Sequence, residues 1–480
     1  MEQFIHLNTA CGPIKGLDKG AHAEFLGVKF ANAGRFEYAI PVTNFKKAIA
    51  DAPDAHAVDQ TTMADRIDAA GVYDATYHGD VCTQKRVWFE HLEVPERKFY
   101  HTEFRQGQQF TYSEDCLNLD IYMPKAVDAR SADMSSAPKY PVIIFIHGGG
   151  FDSGSCYDSA INGAALAERG VVCVSIQYRV GIFGYFTHED IAARYGHEGN
   201  FGLDDQYTAI KWVKDNIADY CGDSDNITVM GQSAGAISIQ YLCLSEKCRG
   251  LFQHALMMSG GGLFPKFALP RLAENTHEYW QDCMTTAGVS TLEELKSLDS
   301  EKIFTACEEL RTRRKDNTYN TMPVVDQYLI SAPVDTLIDH PLPIDYMIGY
   351  TNNDMYAIIM AYIGNKFGRA NGAYVYYFDI DAPGDDNNAA FHSADIRYLF
   401  GTLKASHRPY SADDEAVSSL MMDYVVRFAA TGNPNHDGAP QWEPEGRKPL
   451  HVVRDVSKIR MARPNQWQLL HNTLTKGDPK

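Results

Sequence analysis

Short apolar runs alternate along this chain with longer amphipathic stretches. Five runs are apolar on both faces and rich in β-branched or aromatic side chains: 141–146, 171–176, 226–231, 346–350 and 373–378. Their length and composition predict strands buried between helices. Between them, the segment 202–220 aligns Tyr207, Ile210, Val213 and Ile217 on one helical stripe, and a similar stripe follows residue 233. The alternation predicts an α/β protein with a large, mostly parallel central sheet and helices on both faces.

Polar or glycine-rich segments follow four of these predicted strands. They are 147–151, which reads HGGGF, 231–233, a segment that carries Asp354, and a loop that leads to His392. Ligands of open α/β sheets bind at the carboxyl ends of the strands. We therefore expect the functional residues to come from these segments.

The stretch Gly231-Gln232-Ser233-Ala234-Gly235 has the pattern G-x-S-x-G. The pattern alone is weak, because both residue types are common. Here it lies between a predicted strand and a predicted helix, where a sharp turn would expose the hydroxyl of Ser233. A serine attacks only with a base within reach and a carboxylate that orients the base, and α/β-hydrolases carry them in the order serine, acid, histidine.

The histidines after residue 354 are the candidates for the base: His392, His407, His436, His451 and His471. His392 is favoured because it follows a loop that leaves a predicted strand, and His407 is the reserve. Asp354 is favoured as the acid over two alternatives. Asp345 precedes its strand, at the wrong edge of the sheet, and Asp395 is expected to face a helix turn.

The glycines after the first of these strands form either a flexible turn or a part of the same catalytic site. Backbone N–H groups can approach a substrate closely where there are no side chains. Gly149 and Gly150, with the N–H of Ala234, are predicted to bind the oxyanion of a tetrahedral intermediate. Phosphate binding is not indicated, because no Lys-Ser/Thr pair follows the glycines.

Composition limits the partners and the setting. The 480 residues carry a formal net charge of −18, which argues against nucleic acid and anionic membranes as partners. The N-terminus does not have the pattern of a signal peptide, and no apolar run reaches the roughly 18 residues of a membrane helix. We expect one domain over residues 1–480 and a cytoplasmic protein with reduced thiols among its 10 cysteines. No metal or cofactor is predicted, and monomer and homodimer both stay open.

Longer motifs resemble those of type B carboxylesterases, a family that includes cholinesterases and bacterial para-nitrobenzyl esterases. They lie at 113–124, 147–151, 199–236 and 427–435, so the resemblance spans nearly the whole chain. It implies an α/β-hydrolase fold with lid-like insertions and hydrolysis of carboxylic esters without a cofactor. It also implies the triad Ser233, Asp354 and His392, and the oxyanion donors Gly149, Gly150 and Ala234.

Three positions depart from the family pattern. Asp354 stands where the family usually has Glu, and Met355 replaces the glycine expected after it. Gln232 replaces the Glu beside the serine, so we expect weaker attraction for cationic substrates such as choline esters.

The family often closes a loop with a disulfide, and the matching pair here is Cys82 and Cys116. In a reducing cytosol we expect these thiols to be free. The segment 82–116 is predicted to overhang the site as a lid or gorge rim, and its aromatic residues are candidates for shaping specificity: Trp88, Phe89, Tyr100 and Phe104.

The sequence therefore predicts a serine carboxylesterase that acts on neutral, small to medium esters through an acyl-enzyme. An acyltransferase or a lipase on the same site is an alternative, since fold does not fix function. A non-catalytic binding protein of the same fold is another, although such proteins typically lose the serine that this chain keeps.

Overall fold

Seventeen strands in three separate sheets, one of 13 strands and two of 2 strands, organise the described part of the chain. The computed structural model describes residues 3–50, 66–84, 95–125, 138–260, 269–314, 320–354, 366–367, 372–386, 388–444 and 448–464. In chain order, the strands are β1 (Gln3–Thr9), β2 (Gly12–Asp18), β3 (His22–Lys29), β4 (Ala31–Asn32), β5 (Ile40–Pro41), β6 (Tyr73–Asp74), β7 (Val81–Cys82), β8 (Tyr112–Ser113), β9 (Asn118–Pro124), β10 (Tyr140–Ile146), β11 (Val172–Ile176), β12 (Gly222–Gln232), β13 (His254–Met258), β14 (Asp345–Thr351), β15 (Ala373–Phe378), β16 (Leu450–Val452) and β17 (Arg460–Met461).

The helices lie mostly between the central strands, as the sequence pattern predicts. They are α1 (Phe45–Ala50), α2 (Pro95–Phe104), α3 (Ala164–Ala167), α4 (Gly181–Tyr185), α5 (Glu189–Tyr195), α6 (Phe201–Asn216), α7 (Ala234–Leu242), α8 (His277–Thr286), α9 (Leu292–Lys296), α10 (Ser300–Arg314), α11 (Val334–Leu337), α12 (Ile396–Phe400) and α13 (Ala412–Thr431). Among the described residues, no helix is both long and apolar enough to cross a bilayer.

Most strands form one large sheet, and its centre is parallel. The order of the strands is β1-β2-β3-β9-β11-β10-β12-β13-β14-β15-β16-β17, and β6 pairs with β2. All pairings from β11 to β16 are parallel, and those toward both edges are antiparallel apart from the β2–β6 pair. The predicted large, mostly parallel sheet is confirmed.

The central strands are buried on both faces. In β10, Val142, Ile144 and Ile146 pack into one apolar cluster with side chains of α6 and α7. Ile143 and Phe145 point to the opposite face and pack with α3, α12 and α13. Both faces of the strand are apolar for this reason, and helices cover both, as predicted.

The strand before Ser233 is longer than its apolar run. The pattern predicts it over 226–231, whereas β12 spans Gly222–Gln232. Its pairing with β10 is irregular, since the register shifts between Tyr140 and Val142. The polar residues that open β12 therefore belong to an irregular N-terminal end of the strand, which a search for apolar runs does not detect.

The expectation of free thiols at Cys82 and Cys116 is wrong, because the structure has them joined in a disulfide. Strands β7 and β8 pair in parallel, with Cys82 opposite Ser113. The two cysteine Cα atoms are then 4.8 Å apart, within the range that a disulfide bridges. The segment 82–116 is thereby closed at its base.

Candidate active site

The predicted nucleophile Ser233 stands between β12 and α7, at the carboxyl end of the parallel strands. Its backbone has φ 53° and ψ −121°, a region that residues with a side chain rarely occupy. Such a conformation costs on the order of 1–3 kcal/mol and persists only where the surroundings enforce it. The Ser233 N–H donates to Met258 O (2.9 Å), and its carbonyl accepts from the Ile237 N–H (2.9 Å). The hydroxyl does not cap the helix.

The two glycines of the serine turn (residues 231–235) are required by close packing. A Cβ on Gly231 would lie 2.8 Å from the carbonyl carbon of Gly235. A Cβ on Gly235 would lie only 2.1 Å from the carbonyl oxygen of Ile146 at the end of β10. The motif therefore has a steric origin: α7 passes against the strand ends too closely for any side chain at either position.

The glycine loop (residues 147–154) follows β10 and lies beside the serine turn. A Cβ on Gly148 would lie 2.9 Å from the Cβ of Ser233, and Gly149 has φ 115°. No described residue accepts a hydrogen bond from the three N–H groups predicted to bind the oxyanion, those of Gly149, Gly150 and Ala234. Ala234 also opens α7, where the helix dipole is positive. These donors could receive negative charge that develops on an atom beside the serine.

His147, at the start of the glycine loop, makes contacts that hold the loop in place. Its Nδ1 donates to Gly148 O (2.8 Å), and its ring stacks on Tyr178 with centroids 4.3 Å apart. The Tyr178 hydroxyl in turn donates to His147 O (2.8 Å). Burial lowers the pKa of His147 to about 4. The ring is therefore neutral at pH 7 and supports the loop rather than carrying charge.

Asp354 and His392 come from two loops that an isolated backbone bridge joins. The Asn353 N–H donates to Ala390 O (3.0 Å), and Asn353 pairs with Phe391. Asp354 Oδ1 consequently lies 3.4 Å from His392 Nδ1, and the Asp354 side chain is fully buried. The structure thus brings together the two residues predicted as acid and base.

The surroundings of His392 act on its pKa in opposite directions. Burial lowers the pKa of the imidazole, whereas the charge of Asp354, the hydrogen bond with Asp354 and the charge of Asp395 raise it. The net effect is a pKa above the ordinary value. A carboxylate beside the ring is therefore the partner that favours the imidazolium ion.

Gln232 links the serine turn to His392, a contact that the sequence analysis did not foresee. Its Nε2 lies 3.1 Å from His392 Nε2 and donates to Ser393 Oγ (2.7 Å). An amide N–H only donates, so a hydrogen bond to the ring requires the lone pair on His392 Nε2. The ring proton then sits on Nδ1, facing Asp354. This tautomer leaves Nε2 able to accept a proton.

Asp395 is a second buried carboxylate near the pair, not the helix-facing residue that was expected. It stands at the N-cap position of α12, but its side chain makes no capping hydrogen bond; it is fully buried and accepts a hydrogen bond from the Tyr376 hydroxyl (2.7 Å). Burial raises its pKa, the hydrogen bond from Tyr376 lowers it and the charge of Asp354 raises it, to a value of about 6. Its position three residues after His392 was the only signal in the sequence.

The other candidates pair elsewhere. His407 contacts Glu103 at 3.6 Å, His451 contacts Asp379 at 2.8 Å, and the ring of His436 bonds to Pro434 O. Asp345 opens β14 and pairs with His254 at 3.0 Å, at the opposite edge of the sheet from Asp354. His471 lies outside the described residues.

The segment 82–116, which is predicted to overhang the site, contacts both the glycine loop and Phe391, the residue before His392. Gln84 exchanges two hydrogen bonds with the backbone of Gly154, both 2.9 Å. Phe99 in α2 packs edge-on against Phe391, with ring centroids 4.9 Å apart. Phe99 was not among the predicted aromatic residues.

The four aromatic residues predicted to shape specificity fare differently. Tyr100 and Phe104 are half-buried and stack on one another along α2, with ring centroids 6.2 Å apart. Trp88 and Phe89 lie outside the described residues. Among the described aromatic residues of segment 82–116, Phe99 is the one with a ring contact beside His392.

The fold and the site define a class. A large, mostly parallel sheet with helices on both faces, a strained serine between strand and helix, and a histidine–aspartate pair at the same edge are the features of an α/β-hydrolase. The chain belongs to the carboxylesterase family, whose model matches residues 3–371 and 361–463. It is therefore a carboxylic-ester hydrolase.

Individual relatives agree with this assignment. The chain is 27% identical over 450 residues to the para-nitrobenzyl esterase of Bacillus subtilis, a match that covers 80% of this chain and 86% of that protein. It is 26% identical over 461 residues to carboxylesterase 5A of the dog, covering 80% and 76%. Among solved structures, a thermophilic PNB esterase has a TM-score of 0.76 at 22% identity and covers 98% of this chain and 99% of its own. The structural match supports the fold.

Proposed function

We propose that this protein hydrolyses neutral, small to medium carboxylic esters by a serine mechanism with an acyl-enzyme intermediate. Ser233 attacks the ester carbonyl carbon while His392 Nε2 takes the hydroxyl proton. The N–H groups of Gly149, Gly150 and Ala234 hold the resulting oxyanion. His392 then gives the proton to the leaving alcohol as the carbon–oxygen bond breaks.

The second half of the cycle reverses these roles. A water molecule loses a proton to His392 and attacks the acyl carbon, and the acid leaves as Ser233 recovers its proton. In both halves Asp354 holds the Nδ1 side of the ring and stabilises the imidazolium ion. Gln232 donates to the ring only while Nε2 is unprotonated, so this contact has to open at each proton transfer.

One observation carries the proposal. The 3.4 Å approach of Asp354 to His392 lies at the sheet edge where Ser233 is held in a strained turn, and Gln232 links the two. A serine needs both a base and an orienting carboxylate to attack at neutral pH. These contacts support a mechanism in which His392 is the base and Asp354 is the orienting carboxylate.

The preference for neutral esters rests on two features of the same place. Gln232 puts an uncharged amide beside His392, so the site lacks a negative charge there that would attract a cationic alcohol group. The partly exposed Phe99 packs on the buried Phe391 next to His392 and offers an apolar surface. Apolar surface of this kind favours the burial of uncharged groups.

The test is the hydrolysis of para-nitrophenyl esters, from acetate to octanoate, by the wild type and by Ser233→Ala. Loss of the nucleophile is expected to lower kcat by on the order of a million-fold. A stopped-flow burst of nitrophenol equal to the enzyme concentration would report the acyl-enzyme. The chain-length profile defines the size of the acyl group that is accepted.

Ser259→Ala is the matched control. Ser259 also has positive φ (51°), follows the neighbouring strand β13 and has a buried hydroxyl. It is expected to keep wild-type activity within about threefold. The serine mechanism would be contradicted if the wild type hydrolysed none of the esters, or if Ser233→Ala and Ser259→Ala lost kcat equally.

A further inference from the structure

Two cysteines on different helices face each other in a part of the sequence distant from the Cys82–Cys116 disulfide. Cys283 lies in α8 and Cys307 in α10, 24 residues later, and their Sγ atoms are 2.8 Å apart. Both are free thiols in the structure. The separation is longer than a disulfide bond of about 2.05 Å. It is nevertheless so short that the two sulfurs lie in direct contact.

The helices that carry the pair are already fixed against each other. Apolar side chains from both helices share one cluster, among them Trp280, Met284, Ile303 and Leu310. An ion pair between Asp282 and Arg314 joins the same helices at 2.5 Å. Bond formation therefore needs little more than a small shift of the two side chains, and the backbone can stay in place.

The pair also lies close to the glycine loop. The ring of Phe304 in α10 packs edge-on against Phe183 in α4, with centroids 5.4 Å apart. The Gly181 N–H that opens α4 donates to Phe151 O in the glycine loop (2.6 Å). The charge of Asp152, the next residue of that loop, acts on the Cys307 thiol. A link between α8 and α10 would therefore stiffen a wall on which this loop rests.

We propose that Cys283 and Cys307 are a redox modification site that forms a second intrachain disulfide with a small disulfide oxidant such as oxidised glutathione. The half-exposed Cys307 thiolate attacks one sulfur of the oxidant, giving a mixed disulfide and one glutathione thiolate. The buried Cys283 thiolate then displaces the second glutathione. Two protein thiols are oxidised, one oxidant disulfide is reduced, and the two thiol protons leave on the two glutathione molecules.

The surroundings of the pair set the rate of this exchange. The hydrogen bond with Cys283, burial and the charge of Asp152 raise the pKa of Cys307 well above its ordinary value. Because the thiolate is the attacking species, oxidation is expected to be slow at neutral pH and to accelerate as pH rises. The bond is also expected to be reversible by an excess of thiol.

Peptide mapping of the wild type tests the pairing without any substitution. The protein is incubated with oxidised glutathione, its remaining thiols are alkylated, and it is digested with trypsin without reduction. The expected product joins the peptides 272–296 and 303–311 and is lighter than their sum by two hydrogen atoms. Titration of the unfolded protein should find two thiols fewer than before oxidation.

Other results of the mapping would overturn the proposal. These are two unmodified peptides, glutathione adducts without the cross-link, or a bond from either cysteine to a third one. The Cys82–Cys116 disulfide serves as an internal reference, because it is present before and after treatment.

Thermal unfolding with and without the oxidant gives an independent test. A bond that closes a loop of this length is expected to raise Tm by about 3 °C in a chain of this size. Cys283→Ser and Cys307→Ser should each abolish the shift, whereas Cys248→Ser, which removes a buried cysteine elsewhere, should keep it. A shift that survives either of the first two substitutions contradicts the pairing.

Discussion

Asp354→Asn isolates the charge that is proposed to orient and stabilise His392. The substitution keeps the shape of a side chain that is fully buried and replaces its negative charge by a neutral amide. The carboxylate was the least secure residue in the sequence, because an aspartate stands where the family usually has glutamate. Its contribution is therefore the most informative one to measure.

The expected magnitude follows from the distance between the groups. Two unit charges 3.4 Å apart interact by about 5 kcal/mol at an effective dielectric constant of about 20. If the imidazolium ion is fully formed in the transition state, losing this term lowers kcat by roughly three to four powers of ten. The amide also presents an N–H to Nδ1, which disfavours the tautomer with the proton on that atom.

The pH profile provides a second readout with a definite sign. Hydrolysis needs the neutral imidazole, so kcat/KM rises with pH through the pKa of His392 in the free enzyme. Burial lowers that pKa, and Asp354 raises it through its charge and its hydrogen bond. Without the carboxylate, the pKa falls. The acidic limb of the profile is therefore expected to move to lower pH in Asp354→Asn.

Asp395→Asn is the matched control, because Asp395 is also fully buried and its charge also acts on His392. Hydrolysis of para-nitrophenyl acetate is followed in both variants, with far-UV circular dichroism to check folding. The control is expected to lose less than about tenfold in kcat. The reasoning is refuted if Asp354→Asn keeps more than about a tenth of wild-type kcat, or if the two variants lose equally.

Three further predictions concern the surroundings of the triad. Gly235→Ala places a Cβ 2.1 Å from Ile146 O and should lower the free energy of unfolding in urea by about 3 kcal/mol or more. The control Gly250→Ala places its Cβ in open space and should lower it by about 1 kcal/mol. Gln232→Glu adds a negative charge beside His392 and should shift the acidic limb of the kcat/KM profile to higher pH. It should also raise the ratio of kcat/KM for a choline ester to kcat/KM for a neutral isostere by about tenfold. An unchanged ratio would contradict the role given to the amide. Asp395 has a raised pKa of about 6, so its protonated form stabilises the protein below pH ~4 and this stabilisation is lost as pH rises to ~6. The free energy of unfolding of Asp395→Asn should therefore fall by up to about 3 kcal/mol less than that of the wild type over this pH range. Parallel curves of unfolding free energy against pH for the two proteins would contradict the prediction.

Local patterns in the sequence were enough to predict most of the central parallel strands, although the buried strand β13 was not among the predicted runs. Strands β10, β11 and β15 lie where apolar runs predict them, because a strand covered by helices on both faces needs apolar side chains at successive positions. The start of β12 was missed, since its first residues are polar and its pairing is irregular. An apolar pattern in the sequence indicates burial, and it gives no signal where the end of a strand is polar and partly exposed.

The serine turn shows how far a motif can be taken. The pattern around Ser233 is short, and its position between a strand and a helix was the reason to choose it. The physical requirement for Gly235 appears only in three dimensions, where β10, distant in sequence, approaches α7. The glycine that defines the end of the motif is therefore required by the close packing of α7 against β10.

The sequence by itself determined the α/β architecture and the residue types at the carboxyl ends of the strands, because hydrophobic period and strand-end chemistry are local properties. Only the tertiary structure decided which of these residues meet. Asp354 reaches His392 through a bridge between two loops, Gln232 joins the serine turn to the same ring, and Cys283 meets Cys307 across two helices. Such contacts depend on how distant segments pack, and no local pattern in a single chain encodes that distance.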